Sequence, residues 1–164
     1  MLFERREMTQ IDELINVVRR LRSEDGCPWD KIQTHESLKP ELIEEASEVL
    51  SGINVYLESG NGDSMKEELG DLLLQIVFHA SLAEDEGLFT FDDVAETVKR
   101  KMIERHPHVF GETKVDGVDE VLTNWEDIKK SQKKGKEWMD AKLPEAFEEA
   151  KELIERAKER KGFK

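Results

Sequence analysis

The chain has 164 residues, with 38 Asp plus Glu against 25 Lys plus Arg and a formal net charge of −13. That length suits one domain with a sizeable core, and the negative balance argues against gripping a DNA or RNA backbone over a broad surface. No apolar run approaches the ~18 residues of a membrane span, no signal-peptide pattern opens the chain, and a lone cysteine, Cys27, excludes an intramolecular disulfide and suits a reducing cytoplasm.

The hydrophobic period is helical throughout, with almost no alternating strand pattern. A first helix is predicted from Gln10 to Glu24, capped by Thr9 with Asp12 three residues on, and its apolar stripe is Ile11, Leu14, Ile15, Val18 and Leu21. Asp25-Gly26 ends it, and Cys27-Pro28-Trp29-Asp30 reads as a connecting loop, with Cys27 a small buried residue. A second helix runs from Ser37 to Glu58, with Pro40 tolerable only in its first turn. Its core stripe is Leu38, Leu42, Ala46, Val49, Leu50, Ile53 and Leu57. After the Gly60-Asn61-Gly62 turn, Ser64 with Glu67 makes a capping-box signature for a third helix that ends near Gly87.

Thr90 with Asp93 repeats the capping pattern for a fourth helix, which Pro107 stops. A shorter fifth spans Val118 to Ser131, Lys133-Lys134-Gly135-Lys136 reads as an exposed linker, and Pro144 starts a last amphipathic helix. The expected fold is an all-α bundle with antiparallel neighbours. The stretch from Leu69 to Ala83 is apolar nearly all round, so a second copy of the chain is expected to cover it.

The chemistry concentrates on the second and third helices. Glu44-Glu45-Ala46-Ser47-Glu48 and Glu67-Glu68-Leu69-Gly70-Asp71 each contain carboxylates three apart. That spacing puts their Cβ atoms about 5–6 Å apart on one face. Glu45 with Glu48, and Glu68 with Asp71, therefore form two pincers that side-by-side packing would bring together around a hard cation such as Mg²⁺. In so acidic a chain such pairs are commonly solvated faces. Here Glu68, Asp71, Gln75 and His79 form the one polar sector of an otherwise apolar helix, and Glu45 edges the core stripe of its neighbour. Charge beside a packing seam must be paired, hydrogen-bonded or metal-bound.

On the fourth helix Lys101 and Arg105 project near the inward stripe of Val94, Val98 and Met102, while Arg100 points away. Those two cations suit either phosphate oxygens or the negative end of the helix macrodipole. Trp125 is either a base-stacking surface or an ordinary core residue beside Leu122 and Ile128. His106-Pro107-His108 is read as a structured turn.

In order along the chain, Cys27-Pro28-Trp29-Asp30, Gln33-Thr34-His35, Ile43-Glu44-Glu45-Ala46, Glu67-Glu68-Leu69-Gly70-Asp71-Leu72-Leu73 and Arg105-His106-Pro107-His108-Val109-Phe110 resemble the MazG family. The resemblance covers roughly residues 8 to 131. It implies an all-α nucleoside triphosphate pyrophosphohydrolase that depends on Mg²⁺, with Mn²⁺ as a substitute, and that works as a homodimer or homotetramer. It implies release of monophosphate and pyrophosphate, for housecleaning or control of nucleotide pools, with no nucleic-acid polymer or membrane as partner.

Carried onto this sequence, the resemblance makes Glu45, Glu48, Glu68 and Asp71 the metal ligands. Lys101, Arg105 and Trp125 fall on the substrate side together with Glu41. Glu44 is the expected general base, with Glu41 its rival. Residues 1–131 would form the pyrophosphohydrolase domain and 132–164 a linker with an amphipathic helix, similar to the connection in tandem members, so the chain resembles the first half of a tandem protein or a single-domain form. The alternatives are a dUTP or dCTP pyrophosphatase of narrow preference, or a non-catalytic helical module with a structural metal.

Overall fold

A computed structural model describes residues 7–163. Every regular element among them is helical, in the order α1 (Gln10–Arg22), α2 (Pro28–Lys31), α3 (Lys39–Ser59), α4 (Asp63–Asp85), α5 (Phe91–Arg105), α6 (Pro107–Phe110), α7 (Val118–Lys133), a 3₁₀ turn (Glu137–Asp140) and α8 (Leu143–Lys161). None of these helices is long and apolar enough to cross a membrane. The chain divides into two compact units. One comprises the sequence up to Phe91 together with the segment from Ala150, and the other runs from Asp92 to Glu149.

Local chemistry explains most boundaries. Thr9 and Asp12 form the expected capping box, with the Thr9 N–H donating to the Asp12 carboxylate at 2.8 Å. Such a cap stabilises a helix by about 1 kcal/mol. Pro40 lies in the first turn of α3, and Gly60, at φ 75°, closes that helix in the left-handed conformation that glycine adopts without strain.

Two expectations need correction. Cys27-Pro28-Trp29-Asp30 is a short helix entry rather than plain loop, because Pro28 at the first position has its φ preset for a helical turn. The Ser64–Glu67 box does not form. The Asn61 side chain accepts the Asp63 N–H at 2.8 Å, so α4 starts at Asp63 and Ser64 already lies inside its first turn.

In the first unit, α1 and the later part of α4 share a core of Val18, Leu38, Val77, Phe78 and Leu82, flanked by Ile11, Leu14, Ile15, Leu73, Leu74 and Phe91. Burying each large side chain is worth roughly 1.5–3 kcal/mol. At the rim, Arg22 donates to Ser81 Oγ at 2.6 Å and pairs with Asp85 at 2.7 Å. The antiparallel α3 and α4 approach closely where Gly52 meets Met65. A Cβ at position 52 would stand 2.7 Å from the Met65 Cα.

The stripe expected along α3 is only partly inside. Leu38 is buried and Leu42, Ala46, Val49 and Ile53 are half-buried, but Leu50 and Leu57 are exposed, as are Leu69 and Ile76 on α4. Cys27 is half-buried rather than enclosed.

Candidate functional site

The Gly52–Met65 contact positions the acids of the first unit. Glu48 lies one turn before Gly52 on α3, and Glu68 lies three residues beyond Met65 on α4. Close backbones bring one carboxylate oxygen from each of Glu45, Glu48 and Glu68 within 4.8 Å of one another, all three residues being half-buried. Crowding shows in their acidity. Glu45 is pushed above the usual carboxylate range by loss of solvent first, then by the charges of Glu48, Asp71, Glu68 and Glu44. Glu68 rises for the same leading reason, followed by Glu48, Asp71 and Glu67 and a hydrogen bond with Glu48.

An all-carboxylate set that repels itself fits a hard divalent cation, which would remove the repulsion and satisfy the oxygens together. Asp71 is exposed and outside the three-oxygen cluster, yet near enough for its charge to act on both Glu45 and Glu68. Three of the four carboxylates expected to converge therefore do so directly.

Glu44 is not a free carboxylate. It pairs with Arg160 and, at 2.7 Å, with the Lys161 ammonium, which also contacts Glu48. The hydrogen bonds that the ammonium donates to Glu44 and Glu48 push the Lys161 pKa above its ordinary value. Glu41, a turn earlier on α3, is half-buried. Between α3, α4 and α8 lies a groove of about 440 Å³, lined by Glu48, Ser51 and Glu68 on one side and Ile154, Lys158 and Phe163 on the other. Nothing in the sequence pointed to α8 here. Its basic last turn was the only trace, and basic last turns are common.

The second unit holds Lys101, Arg105 and Trp125. The Arg105 guanidinium lies over the Trp125 ring at 5.2 Å, and its Nε donates to Gln132 Oε1 at 3.0 Å. The half-buried indole also packs T-shaped against His106, with ring centroids 5.0 Å apart, so it acts as a packing surface for cations and rings. Lys101 and Arg105 line a groove of about 520 Å³ together with Arg100, Lys133, Lys136 and Met139. Arg100 was expected to point away from the other two. Its inclusion is a correction, because the groove also draws its walls from the end of α7 and the following turn, which a projection of α5 alone cannot represent. His106-Pro107-His108 is the mouth of α6, with His106 Nδ1 donating to the Met102 carbonyl at 2.6 Å.

Further along α4 the polar sector continues inward. Gln75 is buried, and His79 meets His35 at 2.8 Å between Nδ1 atoms with their rings stacked. Burial, and then the neighbouring His35, lower the His79 pKa below its usual 6.5.

The sequence model of the MazG nucleotide pyrophosphohydrolase domain matches residues 33–110, the segment that contains all four expected metal ligands. A Thermotoga maritima protein named nucleoside triphosphate pyrophosphohydrolase/pyrophosphatase MazG is 52% identical over 125 residues, 76% of this chain and 46% of the relative. The Escherichia coli K12 nucleoside triphosphate pyrophosphohydrolase is 45% identical over 123 residues, 74% of this chain and 45% of that one. Bacillus subtilis YabN, described as uncharacterized, is 52% identical over 118 residues, 72% of this chain and 23% of its own length. The chain thus spans less than half the length of each of these relatives. With an all-helical architecture, an acidic cluster at the α3–α4 crossing and this sequence match, residues 33–110 are identified with the MazG nucleotide pyrophosphohydrolase domain.

Proposed function

We propose that this chain hydrolyses nucleoside triphosphates to monophosphate and pyrophosphate, using Mg²⁺ held by Glu45, Glu48 and Glu68 with Asp71 as the fourth carboxylate. The observation that carries the reading is the three-oxygen cluster at the α3–α4 crossing, inside the segment matched to the family. A cation bound there would neutralise phosphate charge and acidify a coordinated water. The protein's own residues supply the rest. Glu44 stands beside the ligands as the base that accepts the water's proton, once its two cationic partners leave it, and Glu41 is the rival.

Lys101 and Arg105 are the phosphate-binding cations, and Trp125 is the nucleotide-contacting aromatic. Arg105 is suited to bidentate contact because Gln132 and the indole face already orient it. We assign the pyrophosphohydrolase domain to residues 1–131 and the linker with its amphipathic helix to 132–164. The working form is proposed as a homodimer or homotetramer.

Pyrophosphate release over a panel of NTPs and dNTPs tests the reading. Monophosphate and pyrophosphate should appear in equal amounts with Mg²⁺, less readily with Mn²⁺, and not at all after chelation. The panel also exposes any narrow preference for dUTP or dCTP. Diphosphate and orthophosphate as primary products would reject the proposal. A folded, metal-binding chain without any product would make the cluster a structural ion site.

A further inference from the structure

The last turn of α8 reaches α3 through two cations, and both sit on acids of the candidate metal centre. Arg160 pairs with Glu44, and the Lys161 ammonium bridges Glu44, at 2.7 Å, and Glu48. Glu48 is itself one of the three carboxylates that converge on a single point. Apolar burial along α8 adds little to that hold. None of its residues is buried, and its half-buried Ile154 and the exposed Phe163 just beyond its end border the open 440 Å³ groove instead of filling it. Charge, more than apolar contact, seats this end of the helix.

An ammonium and a guanidinium on Glu44 and Glu48 answer the same self-repulsion that a divalent cation would answer. They also place positive charge where that cation would approach, so the two occupancies oppose each other. We propose that Arg160 and Lys161 form a tethered counter-cation that holds the acidic site closed until a divalent metal displaces it. Metal loading and release of the last turn of α8 are then a single exchange. The apparent metal affinity is reduced by the fraction of time the site is open, so a latch closed about nine-tenths of the time weakens binding about tenfold. Because the hold is electrostatic and Arg160 stays largely exposed, added monovalent salt loosens it.

This inference rests on the metal reading of the Glu45–Glu48–Glu68 cluster but not on turnover, and its first readout, metal binding, needs no nucleotide. The chain is titrated calorimetrically with Mg²⁺ and with Mn²⁺ as wild type, as Lys161→Gln and as Arg160→Gln/Lys161→Gln, with helicity checked by circular dichroism. The double variant should bind metal about tenfold more tightly, and Lys161→Gln should fall between. In the wild type, Mg²⁺ should also speed tryptic cleavage at Lys158 and Arg160, as the freed turn becomes available to the protease. Unchanged or weaker metal affinity in the double variant overturns the latch, as does cleavage of α8 that ignores metal. If none of the three proteins binds metal, the latch and the metal reading fall together. If triphosphate turnover persists while the variants bind metal as the wild type does, the latch alone falls. A higher KM for triphosphate at unchanged metal affinity would assign the two cations to the substrate, and also overturns the latch.

Discussion

Glu48 carries opposing demands. It helps to raise the pKa of Glu45 and of Glu68, accepts from Lys161, and supplies one oxygen of the cluster. Glu48→Gln keeps the shape and removes one like charge, so the metal-free melting temperature should hold or rise slightly while metal binding is lost. Turnover should fall at least about a hundredfold, since a carboxylate ligand is gone. Calorimetry with Mg²⁺ beside a pyrophosphate assay checks both, and normal turnover would remove Glu48 from the site. In the second unit, Arg105→Ala should raise KM and spare metal binding, because its partners are Gln132 and Trp125 and not the cluster.

His79 makes a separate prediction. Its folded pKa lies below 6.5, so on acidification the unfolded chain takes up a proton that the folded one refuses. The contribution of the neutral ring is complete above about pH 6.5 and is lost as pH falls through the lower folded value. Melting temperature should therefore drop more steeply between about pH 7 and pH 5 in the wild type than in His79→Gln. Parallel curves would show that the His35–His79 contact carries no such penalty.

Among the helices, the α3–α4 crossing is the element on which the site depends. Gly52→Ala would set a Cβ 2.7 Å from Met65 Cα and 2.9 Å from Met65 N, backbone atoms that cannot rotate aside. The helices must separate, at a cost of about 1–3 kcal/mol. Glu48 and Glu68 are carried on that crossing, so metal affinity should weaken although residue 52 holds no ligand. A thermal melt and a metal titration on the same sample check it. Unaltered affinity would mean that the carboxylates set their own spacing.

The helices themselves were readable because their signals are local. The Thr9–Asp12 box, Pro40 in a first turn and Gly60 after a last one each act within a few residues. The approach of Glu45 to Glu48 was readable for the same reason, since three-residue spacing fixes a face. What escaped depends on partners distant in sequence. The docking of α8 onto Glu44 and Glu48 bridges more than a hundred residues, and the turning of Arg100 into the basic groove depends on α7. The misplaced start of α4 was a local contest instead, won by the Asn61 side chain over Ser64. Leu50 and Leu57 were assigned inward by period alone, and period cannot distinguish a face that meets the chain's own core from one that meets another copy.

For the molecule as a whole, Leu50, Leu57, Leu69 and Ile76 leave apolar surface on α3 and α4 that a single chain does not cover. Apolar surface on that scale commonly marks an interface. Light scattering at micromolar concentration should give a multiple of 19.0 kDa, and the monomer mass would refute association. Division of labour along α4 has its own consequence. Its later half builds the core through Val77, Phe78 and Leu82, whereas its first turns carry Glu68 and Asp71. Amide hydrogens along this one helix should therefore exchange with solvent deuterium on two clocks. Those near Val77 should open only with global unfolding, while those near Glu68 exchange through local fraying that a bound cation slows. A cation entering or leaving the acidic end would then not disturb the half that keeps the chain folded.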